Sequence, residues 1–305
     1  MKKEKKIIVP AVTPLNSSYA LDEAAIERLL HHFNRHGVLP FILGTTGESA
    51  SLSLSLKKAY VKKAVQVKGP QTTLYAGIAS NCLEESIEFG NFCFENGVAV
   101  VAATLPSYYA LPHHQMRRYF EQLADALEGP LIIYNIPATT HLSIPLELID
   151  ELSHHPNIIG TKDSERSEER LSGSMALWKD REDFSHYLGW ATKSAEALLQ
   201  GSDGLIPSTA NLAPSIYSDM LRAVEEGDDE KAYRFQKLSD AVGDLYQKGR
   251  LLGESLWALK VLMKQEGICE PNVMPPLQAL PREEEENLIK TWKEMQHSES
   301  IKLEK

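Results

Sequence analysis

A chain of 305 residues with 43% apolar content is long enough to bury one barrel-sized core with additions, or two smaller cores. Its formal charge of −10 weighs against a surface for nucleic acid or anionic lipid, because an acidic protein repels both. No window reaches the roughly 18 apolar residues that a spanning helix requires, so no membrane role is expected.

The basic start KKEKK (2–6) reads as a frayed, solvated terminus, since the apolar run behind it is short and broken by Pro10. Apolar, β-rich runs then follow in order: IIVPAVTP (7–14), LPFILG (39–44), TTLYAGIA (72–79), VAVVAATLP (98–106), PLIIYNIP (130–137), NIIGTKDS (157–164), DFSHYLGW (183–190) and DGLIPST (203–209). Between them, stretches such as LDEAAIERLLHHFNRHG, LEESIEFGNFCFENG and LPHHQMRRYFEQLADALEG repeat apolar residues at i, i+3, i+4 and i+7, and several close on glycine. This is the pattern of amphipathic helices with their C-caps.

Strands apolar on both faces and alternating with helices predict a parallel sheet covered on its outside. Eight such units in about 225 residues give the count for a closed (β/α)8 TIM barrel. An open doubly wound sheet is the alternative, but VTPLNSSYA after the first strand offers no GxGxxG turn. From residue 226 onward the chain turns to helix without strands, which predicts a barrel over 1–225 and an extension of three helices over 226–305 packed on it. PNVMPP (271–276) reads as a rigid connector and EEEE (283–286) as a solvated first helical turn.

Cys82, Cys93 and Cys269 show no CxxC or Cys/His ligand spacing and read as reduced thiols of a cytoplasmic protein, with Cys93 a core packer. The pairs His31-His32, His113-His114 and His154-His155 point their members in different directions, so no metal site is expected from them.

In such a barrel the C-terminal strand ends converge on one mouth, where active sites are built. The polar residues there are Thr13, the turn Gly44-Thr45-Thr46-Gly47-Glu48, Tyr108-Tyr109, Tyr134-Asn135, Thr139-Thr140, Lys162-Asp163-Ser164, Gly189 to Thr192 and Ser208-Thr209. Lys162 is the informative one. Facing the interior it would be desolvated, its pKa lowered, and its neutral amine able to attack a carbonyl. It could equally snorkel to solvent or pair with Asp163.

GTTGES (44–49), YNIP (134–137) and GTKDS (160–164), at these intervals, resemble the dihydrodipicolinate synthase and N-acetylneuraminate lyase family, the pyruvate-type class I aldolases, from about residue 7 to about 295. The resemblance implies that Lys162 forms a Schiff base with a 2-oxo acid such as pyruvate, without metal or other cofactor, the iminium being the electron sink. Tyr134 matches the general acid/base, and Thr45 the relay from it to a second tyrosine. That second tyrosine is Tyr109, which in dihydrodipicolinate synthase crosses from a neighbouring subunit, implying a homodimer or homotetramer. Thr46, Gly47 and the turn's backbone match the clamp for the substrate carboxylate. A packing or interface role for Tyr109 stays open, and Glu48 is expected to pair locally and shape the turn.

The chain also departs from its relatives. Dihydrodipicolinate synthase carries an arginine two residues after the YNxP proline, where this chain has Thr139, and a hydroxyl cannot replace a guanidinium in holding a second carboxylate. N-acetylneuraminate lyase places an Asp and a Glu just after the strand-seven glycine, where this chain has Ala191 and Thr192. Gly189 and Ser208 match positions lining the substrate tail in that branch. The expected function is therefore a carbon–carbon lyase or aldolase that joins pyruvate to, or releases it from, a short hydroxylated aldehyde, of the 2-oxo-3-deoxy sugar acid or 4-hydroxy-2-oxoglutarate type. Dihydrodipicolinate synthase proper, N-acetylneuraminate lyase, and a non-catalytic 2-oxo acid binder are the alternatives.

Overall fold

The computed structural model describes residues 3–297. Eight parallel strands close into a barrel in chain order: β1 (Lys6–Pro10), β2 (Leu39–Ile42), β3 (Tyr75–Gly77), β4 (Val100–Ala103), β5 (Leu131–Asn135), β6 (Ile158–Asp163), β7 (Ser185–Leu188) and β8 (Gly204–Leu205). Each lies inside one of the apolar runs, and β8 returns to pair with β1 through Leu205 and Ile7. The chain thus adopts the (β/α)8 TIM barrel that its alternating pattern predicts, followed by C-terminal helices.

The period of two along each strand divides the core in two. Ile8, Phe41, Tyr75, Val100, Ala102, Ile132, Tyr187 and Ile206 point inward and pack together, whereas their strand neighbours Val9, Ile42, Ala76, Val101 and Ile133 join the larger core beneath the helices. Helix Glu23–Arg35 illustrates the outer layer. Asp22 caps it by accepting the N–H of Ala25, and Ala25, Ile26, Leu29, Leu30 and Phe33 form its buried stripe. Each of the larger side chains in that stripe contributes about 1.5–3 kcal/mol on burial.

Among the described residues three helices follow Gly227: Asp229–Gln247, Leu252–Gln265 and Arg282–His297. Glu283, Glu284 and Glu285 occupy the first turn of the last one, where the helix dipole favours negative charge. Helix Leu252–Gln265 is different. It is buried at every position from Ser255 to Met263, the mark of an element enclosed on all sides.

The basic start departs from expectation. Lys3 donates to the carbonyl of Phe184 and pairs with Asp203 at 3.2 Å, Lys5 donates to the carbonyl of Ser202, and Lys6 opens β1. Lys3 and Lys5 tie the start of the chain to carbonyls just before β7 and β8; Lys2 lies outside the described residues. No helix among them is long and apolar enough to cross a membrane.

Candidate active site

Register alone brings the central pair together. Tyr134 on β5 stands opposite Lys162 on β6, and both share the inward face with Ile132 and Gly160 two residues below. A register shift between Leu131 and Ile132 sets this alignment. Lys162 is 3% exposed, its Nζ 3.9 Å from the centroid of the Tyr134 ring and 5.0 Å from that of Phe41.

Asp163 points the opposite way, as strand alternation requires. Its carboxylate accepts from Arg170 Nε at 2.6 Å, the N–H of Glu165 at 2.9 Å and Asn135 Nδ2 at 3.2 Å, and burial nonetheless pushes its pKa up, against the pull of Arg170. The pairing of Lys162 with Asp163 that the sequence left open is therefore not made. Among the described residues no carboxylate lies within ion-pair distance of Lys162. Burial lowers the pKa of Lys162 from its ordinary value, with Tyr134 opposing the shift. Favourable ring contacts with a cation offset part of that penalty.

The Tyr134 hydroxyl lies 3.2 Å from Thr45 Oγ1. Thr45 belongs to a tight turn in which Gly44 O accepts from the N–H of Gly47 at 3.1 Å and of Ser49 at 3.4 Å, and Thr45 O from Glu48 at 3.0 Å. Thr13 Oγ1 ties the turn to the end of β1 by donating to Gly47 O at 2.6 Å. A side chain at Gly47 would sit 3.0 Å from Ala11 O and 3.1 Å from Leu43 N, so only glycine fits there without movement. Thr46 is buried. Among the described residues the N–H groups of Thr45 and Thr46 carry no hydrogen bond; Thr45 lines the cavity above the turn, whereas Thr46 and Gly47 do not.

A cavity of about 690 Å³ opens over this turn, lined by Gly44, Thr45, Thr104, Ser107, Tyr134 and Thr139 among others. Lys162 does not line it, but the two rings that its amine touches do. Thr139 sits in the short helix Pro137–Thr140 and donates to the carbonyl of Ile136 at 3.4 Å.

Other expected site residues stand apart. Tyr109 is 74% exposed beside the equally exposed Tyr108, their rings edge to face at 5.0 Å, and it does not line the cavity of its own chain. Ser208 is committed to the Tyr246 hydroxyl at 2.8 Å. Gly189 donates to Asp163 O at 2.6 Å, and a side chain there would collide with Ser164 Oγ at 2.2 Å, so its lack of a side chain serves strand packing. Neither lines the cavity. Glu48 pairs with distant Lys260 instead of with a neighbour in the turn.

Phe41 and Lys260 escape a reading of the sequence. Phe41 is one apolar residue among several in LPFILG, although its strand phase would have marked it as inward. Lys260 is flanked by apolar residues in WALKVLM, and a charge so placed in a helix is the signal of a buried partner.

The fold and the site agree with what this chain resembles. The family model for the dihydrodipicolinate synthetase family matches residues 3–295. A 4-hydroxy-tetrahydrodipicolinate synthase of Alkalilimnicola ehrlichii is 30% identical over 94% of this chain and 97% of its own length. The solved dihydrodipicolinate synthase of Bacteroides thetaiotaomicron superposes with a TM-score of 0.90 at 29% identity, covering 96% of this chain and all of that one. A prophage protein of the same family from E. coli K12, solved in complex with pyruvate, gives 0.90 at 25% identity, over 96% and 98% of the two chains. With a lysine and a tyrosine facing each other inside a closed barrel and a family match along nearly its whole length, the chain belongs to the dihydrodipicolinate synthetase family.

Proposed function

We propose that the protein is a Schiff-base-forming aldolase that cleaves a 2-oxo acid to pyruvate and a short hydroxylated aldehyde, or joins the two. Membership of the family makes it a carbon–carbon lyase. The observation that carries the reading is the Lys162 amine, buried without a carboxylate partner against a tyrosine whose hydroxyl meets Thr45.

The neutral amine attacks C2 of the 2-oxo acid, whose carboxylate rests on the free N–H groups of Thr45 and Thr46 beside Gly47. Tyr134 gives its phenolic proton to the carbinolamine hydroxyl, which leaves as water, so that the iminium forms beside a Tyr134 phenolate. The electron pair of the C3–C4 bond flows into that iminium as the bond breaks, while Tyr134 takes the proton of the C4 hydroxyl and passes it toward Thr45. The aldehyde leaves, the enamine is protonated at C3, and water releases pyruvate and restores the amine. Proton transfer by a positioned side chain contributes typically about 10²–10⁴-fold, and orienting the reactants supplies more. No step requires a cofactor.

Tyr109 enters the proposal from a second copy. Two adjacent tyrosines that stand in water on one chain are suited to a neighbour's site, so we propose a homo-oligomer, dimer or tetramer, in which Tyr109 extends the Tyr134–Thr45 relay. Gly189 and Ser208 would bound the tail of a longer substrate. The division into a barrel over 1–225 and an extension over 226–305, of which residues 1–2 and 298–305 lie outside the described ones, belongs to the same reading, supported by Gly227, whose φ of 75° ends helix Pro214–Glu226. Free Cys82, Cys93 and Cys269 support a cytoplasmic setting.

Thr139 bears on the partner aldehyde. Its hydroxyl bonds to the carbonyl of Ile136, and the cavity lining holds no arginine, its one cationic side chain being Lys57, which faces Glu85. A second substrate carboxylate would therefore lack a bidentate anchor. This favours a neutral, hydroxylated aldehyde over the aspartate semialdehyde of dihydrodipicolinate synthase. A screen of 2-oxo-3-deoxy acids and 4-hydroxy-2-oxoglutarate for pyruvate release, read by a coupled dehydrogenase, is expected to find turnover; faster consumption of pyruvate with aspartate semialdehyde would overturn the substrate assignment. Thr139→Arg is expected to shift kcat/KM toward the semialdehyde by about tenfold, the worth of one charge-assisted contact.

A further inference from the structure

Glu48 and Lys260 form an ion pair whose side chains are both fully enclosed, with Nζ 2.5 Å from Oε1. They lie 212 positions apart, Glu48 closing the turn at the site and Lys260 in helix Leu252–Gln265. The remaining valences are filled as well. Lys260 Nζ donates to the carbonyls of Thr13 at 2.8 Å and Asn272 at 2.6 Å, and Glu48 Oε2 accepts the N–H of Met274 at 2.6 Å. Thr13 in turn holds Gly47 O. The end of β1, the GTTGE turn and the connector before the last helix thus converge on one buried charge pair.

Stability alone is a poor reason for such a pair. Desolvating two charges is costly, and apolar residues of similar volume often serve as well or better. The local backbone offers a better one. Leu43 and Glu48, at the two ends of the turn, have φ of 59° and 58°, in the left-handed region that side chains other than glycine rarely adopt. Strain of this kind persists only where the surroundings fix it. The Glu48 carboxylate, gripped by Lys260 and Met274, fixes one end, and between the two strained residues lie the unbonded N–H groups of Thr45 and Thr46.

We infer that Glu48 and Lys260 are positioning residues that hold the GTTGE turn in the shape that receives the substrate carboxylate, so that helix Leu252–Gln265 sets the affinity for the 2-oxo acid. This rests on the proposed function, in which that turn takes the carboxylate.

Two variants separate positioning from folding. Glu48→Leu combined with Lys260→Met replaces the pair by apolar side chains of similar volume, and Glu48→Gln removes only the negative charge. For each, the melting temperature, the pyruvate concentration that half-saturates borohydride trapping, and KM and kcat with the best acid from the screen are measured. The double variant is expected to stay folded but to melt below the wild type, because the carbonyls of Thr13 and Asn272 and the N–H of Met274 lose their partners, while the half-trapping concentration and KM rise about tenfold, roughly one charge-assisted contact, and kcat changes much less. Wild-type trapping and KM in the folded double variant would overturn the inference, as would kcat falling in parallel with the folded fraction at unchanged KM. If the double variant does not fold, Glu48→Gln is held to the same criterion, and if neither folds the pair serves the fold and the inference is wrong. Failure of the wild type to trap pyruvate is a different result, since it removes the Lys162 assignment itself.

Discussion

Replacing Lys162 by methionine is expected to abolish turnover and, at neutral pH, to raise the melting temperature. The first effect follows from the loss of the one group proposed to form a covalent bond with the substrate, which in enzymes that work through a covalent intermediate costs about 10⁴-fold or more. The second follows from burial. The amine is enclosed against Phe41 and Tyr134 with no carboxylate to compensate its charge, and methionine fills similar space without a desolvation cost. Because the folded-state pKa of Lys162 lies below the ordinary 10.5 of the unfolded chain, the unfolded chain holds the proton between the two values. Wild-type stability should therefore rise with pH through that window, and the methionine variant should lose this dependence. The same depressed pKa sets the kinetics: kcat/KM should climb with pH as the free amine loses its proton, and level off below the range of an ordinary lysine. Thermal melts across pH, beside the coupled assay, check these statements.

Tyr134→Phe is expected to lower kcat by about 10²–10⁴-fold while the protein stays folded. The ring keeps its contacts with Lys162 and Phe41, and only the hydroxyl shared with Thr45 is lost. If Tyr134 served only as packing, the phenylalanine variant would keep its rate. Single-turnover measurements should place the loss in the proton-transfer steps and leave the affinity for pyruvate little changed.

Much of this arrangement is legible in the sequence because strands repeat every two residues. Once PLIIYNIP and NIIGTKDS are taken as adjacent parallel strands, Tyr134 and Lys162 fall at matching depths, and alternation turns Asp163 away from Lys162. Gly44 to Gly47 are legible for a related reason, since a glycine-bounded turn at a strand end has few alternative shapes.

What the sequence hides is contact at long range. Lys260 sits in a helix buried on every side, so no polar face announces it, and its partner Glu48 belongs to a distant element. The lysines at the start look like a solvated charge run because their acceptors are the carbonyls of Phe184 and Ser202, far along the chain. Gly189 and Ser208 match, by resemblance, positions near a substrate tail, but the contacts they make with Ser164 and Tyr246 are not announced by the sequence. Tyr109 has no use visible within one copy, and its value depends on a second.

Borohydride reduction in the presence of pyruvate, followed by peptide mass analysis, tests the central claim most directly. A pyruvyl adduct on the peptide carrying Lys162, absent when pyruvate or borohydride is omitted and absent in Lys162→Met, is the expected result. An unmodified Lys162 in protein that still turns over, or an adduct on another lysine, would contradict it.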